Sequence, residues 1–260
     1  MNGINPIATL LIAVLTTALS TSCQRMSVET LAPEVINRYP HDSSAFTQGL
    51  LVHEGDIYES TGLTGRSSLR KVFLTTGEVE RRRDLDSEFF GEGLARVGNR
   101  LIQLTWLHGR AFVYDLESFE ELQVFRYDTE GWGLCYDGEH LYMTDGSSTL
   151  FRRDSSGFER LEEVTVTLRG EPLARLNELE CVGEHIYANV FTTDTIVKID
   201  KKSGQVVAEI DASNLLSTEE RQKLDANAVL NGIAFDPEKE VFYLTGKLWP
   251  ALFEVRFVKR

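Results

Sequence analysis

Histidine and cysteine are too scarce and too scattered in this sequence to build the sites they usually build. The five histidines, His41, His53, His108, His140 and His185, show no metal-ligand spacing. Two of them, His140 and His185, recur at one turn position, which marks a structural role. Three cysteines do not make a disulfide framework. A Gly-rich phosphate loop is absent, as is a nucleophilic Ser or Cys in a recognisable catalytic motif. Positive charge is also short, with 27 Lys and Arg against 40 Asp and Glu and a formal net charge of -13. Such a surface repels nucleic acid and anionic membrane, so neither is an expected partner.

Charge is missing altogether from residues 1–22, where Ile7 to Leu19 is almost continuously apolar. That run falls short of the roughly 20 residues that cross a bilayer as a helix. Its length and the small residues before Cys23 suit a secretory signal, with Cys23 as a lipidation candidate. The expected organisation is a leader over 1–22, a linker over 23–32 and one domain over 33–260. Export is expected, to the periplasm or as a lipoprotein if the source is bacterial. Membrane contact would then come only through lipid at Cys23.

What the chain does contain is a repeat. Gln48-Gly49-Leu50, Glu92-Gly93-Leu94, Trp132-Gly133-Leu134, Asn177-Glu178-Leu179 and Asn231-Gly232-Ile233 each precede a strand ending in Tyr or Ile. Their middle residues are 44, 40, 45 and 54 positions apart. Periods of about 40 to 50 residues built of short strands predict a β-propeller with one blade per repeat. The fold class is therefore all-β, a five-bladed propeller. The fifth repeat lacks its outer strand, which Glu34 to Tyr39 would supply, closing the ring. The longest spacing holds Ser217-Thr218-Glu219-Glu220, a capping box, and predicts a short helix running on through Arg221 to Leu230 between blades 4 and 5. Aligning Gly138–Tyr142 with Gly183–Tyr187 sets Cys135 and Cys181 on opposite faces of their strands, so both are expected as unpaired buried thiols.

The residues heading the repeats, Gln48, Glu92, Trp132, Asn177 and Asn231, form a ring of unlike polar and aromatic groups around the channel. A second ring lies four residues after the strand Tyr or Ile and reads Gly62, Trp106, Gly146, Phe191 and Lys247. Phe46 and Phe90, each two residues before a first-ring position, add aromatic surface. This is an aromatic cup holding a carboxylate, an ammonium and several amides, suited to a small polar ligand with an apolar stem. The same Glu92, Asn177 and Asn231 could instead ligate a metal in a lactonase-like hydrolase. A non-catalytic peptide-binding propeller would use the cup alone.

The motifs Phe46-Thr47-Gln48-Gly49-Leu50, Phe90-Gly91-Glu92-Gly93-Leu94, Leu176-Asn177-Glu178-Leu179-Glu180, Leu230-Asn231-Gly232-Ile233-Ala234 and Thr245-Gly246-Lys247-Leu248-Trp249-Pro250 resemble those of the plant-type glutamine cyclotransferases. The resemblance runs from about Val35 to Phe257. It implies a five-bladed propeller, no metal or other cofactor, and an acyltransferase acting on peptides or proteins that begin with Gln. It singles out Glu92 as the essential residue, with Lys247 and Asn177 as catalytic partners. Phe46, Gln48, Phe90, Trp106, Trp132, Phe191 and Asn231 would bind substrate. Phe191 stands where the family usually carries Trp. A monomer is expected.

Overall fold

The computed structural model describes residues 27–260. The expected leader over 1–22 and the lipidation candidate Cys23 lie outside the described residues. The architecture is all-β. Strand β1 (Glu29–Pro40) is followed by β2 (Thr47–His53), β3 (Asp56–Thr61), β4 (Ser68–Phe73) and β5 (Val79–Asp84). Next come β6 (Gly91–Val97), β7 (Arg100–Thr105), β8 (Arg110–Asp115) and β9 (Glu121–Arg126). The third group is β10 (Leu134–Tyr136), β11 (His140–Met143), β12 (Thr149–Asp154) and β13 (Arg160–Thr165), followed by a small hairpin of β14 (Thr167–Leu168) and β15 (Glu171–Pro172). The fourth is β16 (Leu176–Val182), β17 (His185–Val190), β18 (Thr195–Asp200) and β19 (Val206–Asp211). Helix α1 (Thr218–Arg221) then leads to β20 (Leu230–Asp236), β21 (Val241–Gly246) and β22 (Ala251–Lys259).

Each group is an antiparallel meander in chain order, and β1 supplies the outer strand of the last by pairing antiparallel with β22 from Leu31 to Pro40. One pairing was not foreseen. The start of β1, Glu29 to Leu31, also runs parallel to Ala208–Ile210 of β19, which merges the fourth and fifth units into one eight-stranded sheet. Strand β1 thus starts at Glu29, inside the stretch expected as linker.

The five first strands touch in a closed cycle, β2 to β6 to β10 to β16 to β20 and back to β2. Five separate apolar cores fill the spaces between consecutive units. This explains why the strands are not simply apolar on one face, since adjacent residues feed different cores. Leu50 packs toward the fifth unit and Leu51 toward the second. Leu141 and Tyr142 divide in the same way, as do Ile186 and Tyr187.

The cysteines correct an expectation. Cys135 on β10 and Cys181 on β16 form a disulfide with Cα atoms 5.5 Å apart. They do point to opposite faces, but they belong to neighbouring units. The face of one unit that looks forward meets the face of the next that looks back, so opposite facing is what brings the two thiols together. The inserted helix is also shorter than expected. Its capping box on Ser217 and Glu220 is present, but only one turn forms. An Asx turn at Asp225, which accepts from the Asn227 N–H at 2.8 Å, ends any continuation, and Leu230 already belongs to β20.

A buried ionic cluster ties the first unit to the last. Glu59 accepts from Thr47 Oγ1 at 2.6 Å, contacts His41 Nε2 at 3.1 Å and is paired with Arg70. The other His41 nitrogen lies 2.7 Å from the Trp249 carbonyl. Burial raises the Glu59 carboxyl, but the Arg70 and His41 charges outweigh it and hold Glu59 well below the usual carboxylate range. Breaking this pair leaves the buried Arg70 guanidinium with Asp42 alone, at 2.7 Å, so Glu59→Gln is expected to cost about 3 kcal/mol in denaturant unfolding at neutral pH. Because the folded-state pKa is depressed, the parent loses that stabilisation as pH falls, and the gap between the two proteins should close in acid. Reduction, or a Cys135→Ser/Cys181→Ser pair, should lower stability by about 4 kcal/mol for a loop of this length, read by the same unfolding curves under oxidising and reducing conditions.

Candidate functional site

The starts of four first strands, all but β10, are built to push a side chain out of the ladder. Register between the first and second strands breaks at Thr47/Gly49, Gly91/Leu94, Leu176/Leu179 and Leu230/Ile233. The residues inside these bulges include Gln48, Glu92, Asn177 and Asn231. A bulge re-aims a side chain while the flanking ladder holds the backbone. The second ring is pinned to the same place by one repeated hydrogen bond. The N–H groups of Gly62, Trp106, Phe191 and Lys247 donate to the carbonyls of Phe46, Phe90, Arg175 and Val229 at 2.8–3.0 Å. Trp132 is fixed differently, donating its N–H to the Thr144 carbonyl at 2.9 Å while Gly133 N–H meets Thr144 Oγ1.

These elements converge on a cavity of about 220 Å³ lined by Phe46, Gln48, Phe90, Glu92, Trp106, Trp132, Asn177, Phe191 and Lys247. Of the residues expected to act in catalysis or bind substrate, only Asn231 stays outside this lining. It is fully buried beneath Gln48, donating to Gln48 Oε1 at 3.2 Å and to the Thr47 carbonyl at 2.9 Å. Gln48 in turn donates through Nε2 to Glu92 Oε1 at 2.8 Å. Asn231 therefore orients Gln48, and Gln48 orients Glu92. Among the described residues no group of three or more His, Cys, Asp or Glu side chains is clustered to hold a metal. The third ligand of the alternative metal site, Asn231, lies outside the cavity lining, with its amide nitrogen held by Gln48 and the Thr47 carbonyl.

The aromatic walls interlock edge to face. Phe46 meets Phe90 with ring centres 6.0 Å apart, Phe90 meets Trp106 at 5.6 Å, and Trp132 meets Phe191 at 5.4 Å. The two glycines of the second ring make room for this wall. A Cβ on Gly62 would fall 2.3 Å from the Phe90 ring, and one on Gly146 2.6 Å from the Trp132 indole.

Lys247 Nζ lies 4.9 Å from the Phe46 ring centre and 4.7 Å from that of Phe191, a cation held between two π faces. Among the described residues no carboxylate forms an ion pair with it. Burial pushes its pKa down to about 8, against the opposing pull of the Glu92 charge. Burial raises the Glu92 carboxyl well above the usual range; Lys247 opposes this and Glu130 adds to it. The cavity therefore holds a proton-retaining carboxyl beside an amine that gives up its proton easily.

Two residues escaped the sequence reading. Glu130 accepts from both indoles, Trp106 Nε1 at 2.7 Å and Trp132 Nε1 at 2.9 Å. Its signal was available, because it sits two residues before Trp132, the register of Phe46 and Phe90. Glu178 takes the place of the repeat glycine in the fourth unit. Its carboxylate accepts from Ile233 N–H at 2.7 Å and Leu50 N–H at 3.2 Å, tying three first strands together. A larger cavity, about 910 Å³, opens at the opposite ends of the first strands beside the disulfide. None of the expected site residues lines it.

A family model described as glutamine cyclotransferase matches residues 8–257. The chain belongs to the glutamine cyclotransferase family. A glutaminyl-peptide cyclotransferase of Arabidopsis thaliana is 41% identical over 225 residues, covering 86% of this chain and 70% of the relative. The crystal structure of Myxococcus xanthus glutaminyl cyclase superposes with a TM-score of 0.85 at 39% identity, over 90% of this chain and all of that one. Within the family frame, the site's electrostatics can be checked without substrate. Lys247, followed by NMR of reductively methylated protein, should titrate near pH 8. Glu92→Gln should move that midpoint lower still, because it removes the charge that favours the ammonium.

Proposed function

We propose that the five four-stranded units are the blades of a five-bladed β-propeller, and that the small cavity at one end of its channel converts N-terminal glutamine of peptides or proteins into pyroglutamate. The observation that carries this reading is the meeting of Glu92, Lys247 and Asn177 with an aromatic wall in one cavity, within a chain of this family.

The reaction is an intramolecular aminolysis. The α-amine forms a bond to its own side-chain amide carbon, the C–N bond to the amide nitrogen breaks, and ammonia leaves. Nucleophile and electrophile are tethered, so the site's main tasks are to select the folded conformer and to move one proton. An α-amine of pKa about 7.7–8.0 is partly neutral at working pH. Glu92 takes its proton as the ring closes and delivers it to the departing nitrogen, a task that suits a carboxyl pushed upward by burial. Gln48 fixes Glu92 Oε1 and leaves Oε2 for substrate. Lys247 and Asn177 are positioned to stabilise charge on the amide oxygen. Phe46, Phe90, Trp106, Trp132 and Phe191 enclose the glutamine methylenes and exclude water, which strengthens each polar contact. Phe191 keeps the aromatic wall that Trp would supply but offers no N–H donor.

The reading extends to the rest of the chain. Residues 1–22 direct export, and Cys23 carries any lipid anchor. A Cys135–Cys181 disulfide is in keeping with an oxidising compartment. The protein works as a monomer and without metal.

Purified protein should release ammonia from a Gln-initiated peptide and none from its Asn-initiated or N-acetylated counterparts, with chelators leaving the rate unchanged. Glu92→Gln should fold normally and lose turnover by about 10²-fold or more. Mass spectrometry of the peptide, which loses ammonia on cyclising, checks both. Full turnover in Glu92→Gln would remove that residue from the mechanism.

A further inference from the structure

Glu130 has no part in the proton transfer described above, yet two walls of the cavity hang on it. One oxygen, Oε2, accepts from both Trp106 Nε1 and Trp132 Nε1, at 2.7 and 2.9 Å. The indoles come from different units, so no backbone ladder fixes their mutual spacing. Trp106 is 38% exposed, so burial alone does not lock its rotamer. The backbone around Glu130 is anchored where it must be: Gly131 N–H donates to the Trp106 carbonyl at 2.9 Å, and Tyr127 buries its hydroxyl against Thr105. Oε1 of Glu130 takes no hydrogen bond from either indole, and the side chain is exposed at the rim.

The charge at this rim has a use of its own. Much of the substrate population arrives with a cationic N-terminus, and the cavity floor already holds Lys247. A second cation entering beside that ammonium is opposed electrostatically unless negative charge stands nearby. Glu130 stands at the entrance with one oxygen still available.

We propose that Glu130 is a positioning residue that clamps the two indoles with one carboxylate oxygen and attracts the cationic N-terminus of the substrate with its charge and its second oxygen. This inference rests on the cyclotransferase reading for its substrate, whereas the clamp itself does not. Two variants separate the two roles. Glu130→Gln keeps a side-chain acceptor for the indoles and removes the charge. It should raise KM about two- to fivefold, the scale of an exposed charge contact, with kcat nearly unchanged and with the salt dependence of kcat/KM weakened. Glu130→Ala removes the clamp as well and should lower kcat about tenfold or more through misplacement of the wall. It should also shift tryptophan emission in the absence of any peptide, two of the three tryptophans being the clamped pair. Parent-like KM in Glu130→Gln overturns the proposal, and so does parent-like emission in Glu130→Ala. The emission readout stands even if the parent protein fails to cyclise Gln peptides, a result that would overturn the functional reading instead.

Discussion

At Gly49, Gly93 and Gly133 a Cβ would come within 2.5, 2.5 and 2.0 Å of the backbone of the following unit. At these three positions neighbouring first strands are thus packed more tightly than any side chain would allow. With no room in the ladder, the residue ahead of each of these glycines is expelled into a bulge or an irregular start, and the side chains of Gln48, Glu92 and Trp132 meet in one cavity. The site is a by-product of that crowding. Where the glycine is missing, Glu178 takes up the vacancy and turns it into a cross-tie, accepting from two other first strands.

Crowding also sets the chemistry. Glu92 and Lys247 lie in a space small enough to strip them of water, so burial drives the carboxyl up and the amine down. The aromatic walls do this work without competing for hydrogen bonds, since their edge-to-face contacts leave the polar atoms of Gln48, Glu92 and Asn177 as the directional groups. A relay of amides from Asn231 through Gln48 then fixes which oxygen of Glu92 is free.

Much of this was legible in the sequence because a ring repeats its positions. Once Gln48, Glu92, Trp132 and Asn177 were in register, their convergence needed no knowledge of long-range contacts. The same logic missed what the repeat does not express. Asn231 occupies a first-ring position but faces Gln48 below the cavity; its bulge carries Gly232 at φ 123°, whereas the equivalent Gly49, Gly93 and Gly133 have no positive φ. Glu130 was overlooked because only the aromatic members of its register, Phe46 and Phe90, stood out. The disulfide was misjudged because strand periodicity was applied within one sheet, whereas the thiols meet between two. The parallel contact of β1 with β19 depends on the packing of units four and five, and no local pattern announces it.

Strand β1 gives the ring its closure, and it does so across nearly the whole chain: Asn37 reaches Glu254, 217 residues away. Four sheets can form from contacts local to each unit, but the last cannot be completed until both ends of the chain meet, the costliest loop to close. Until then β22 presents an unpaired edge and β19 a second one, both open to strands of other molecules. The pairing that joins the two ends of the chain is therefore also the one that covers its last open edges.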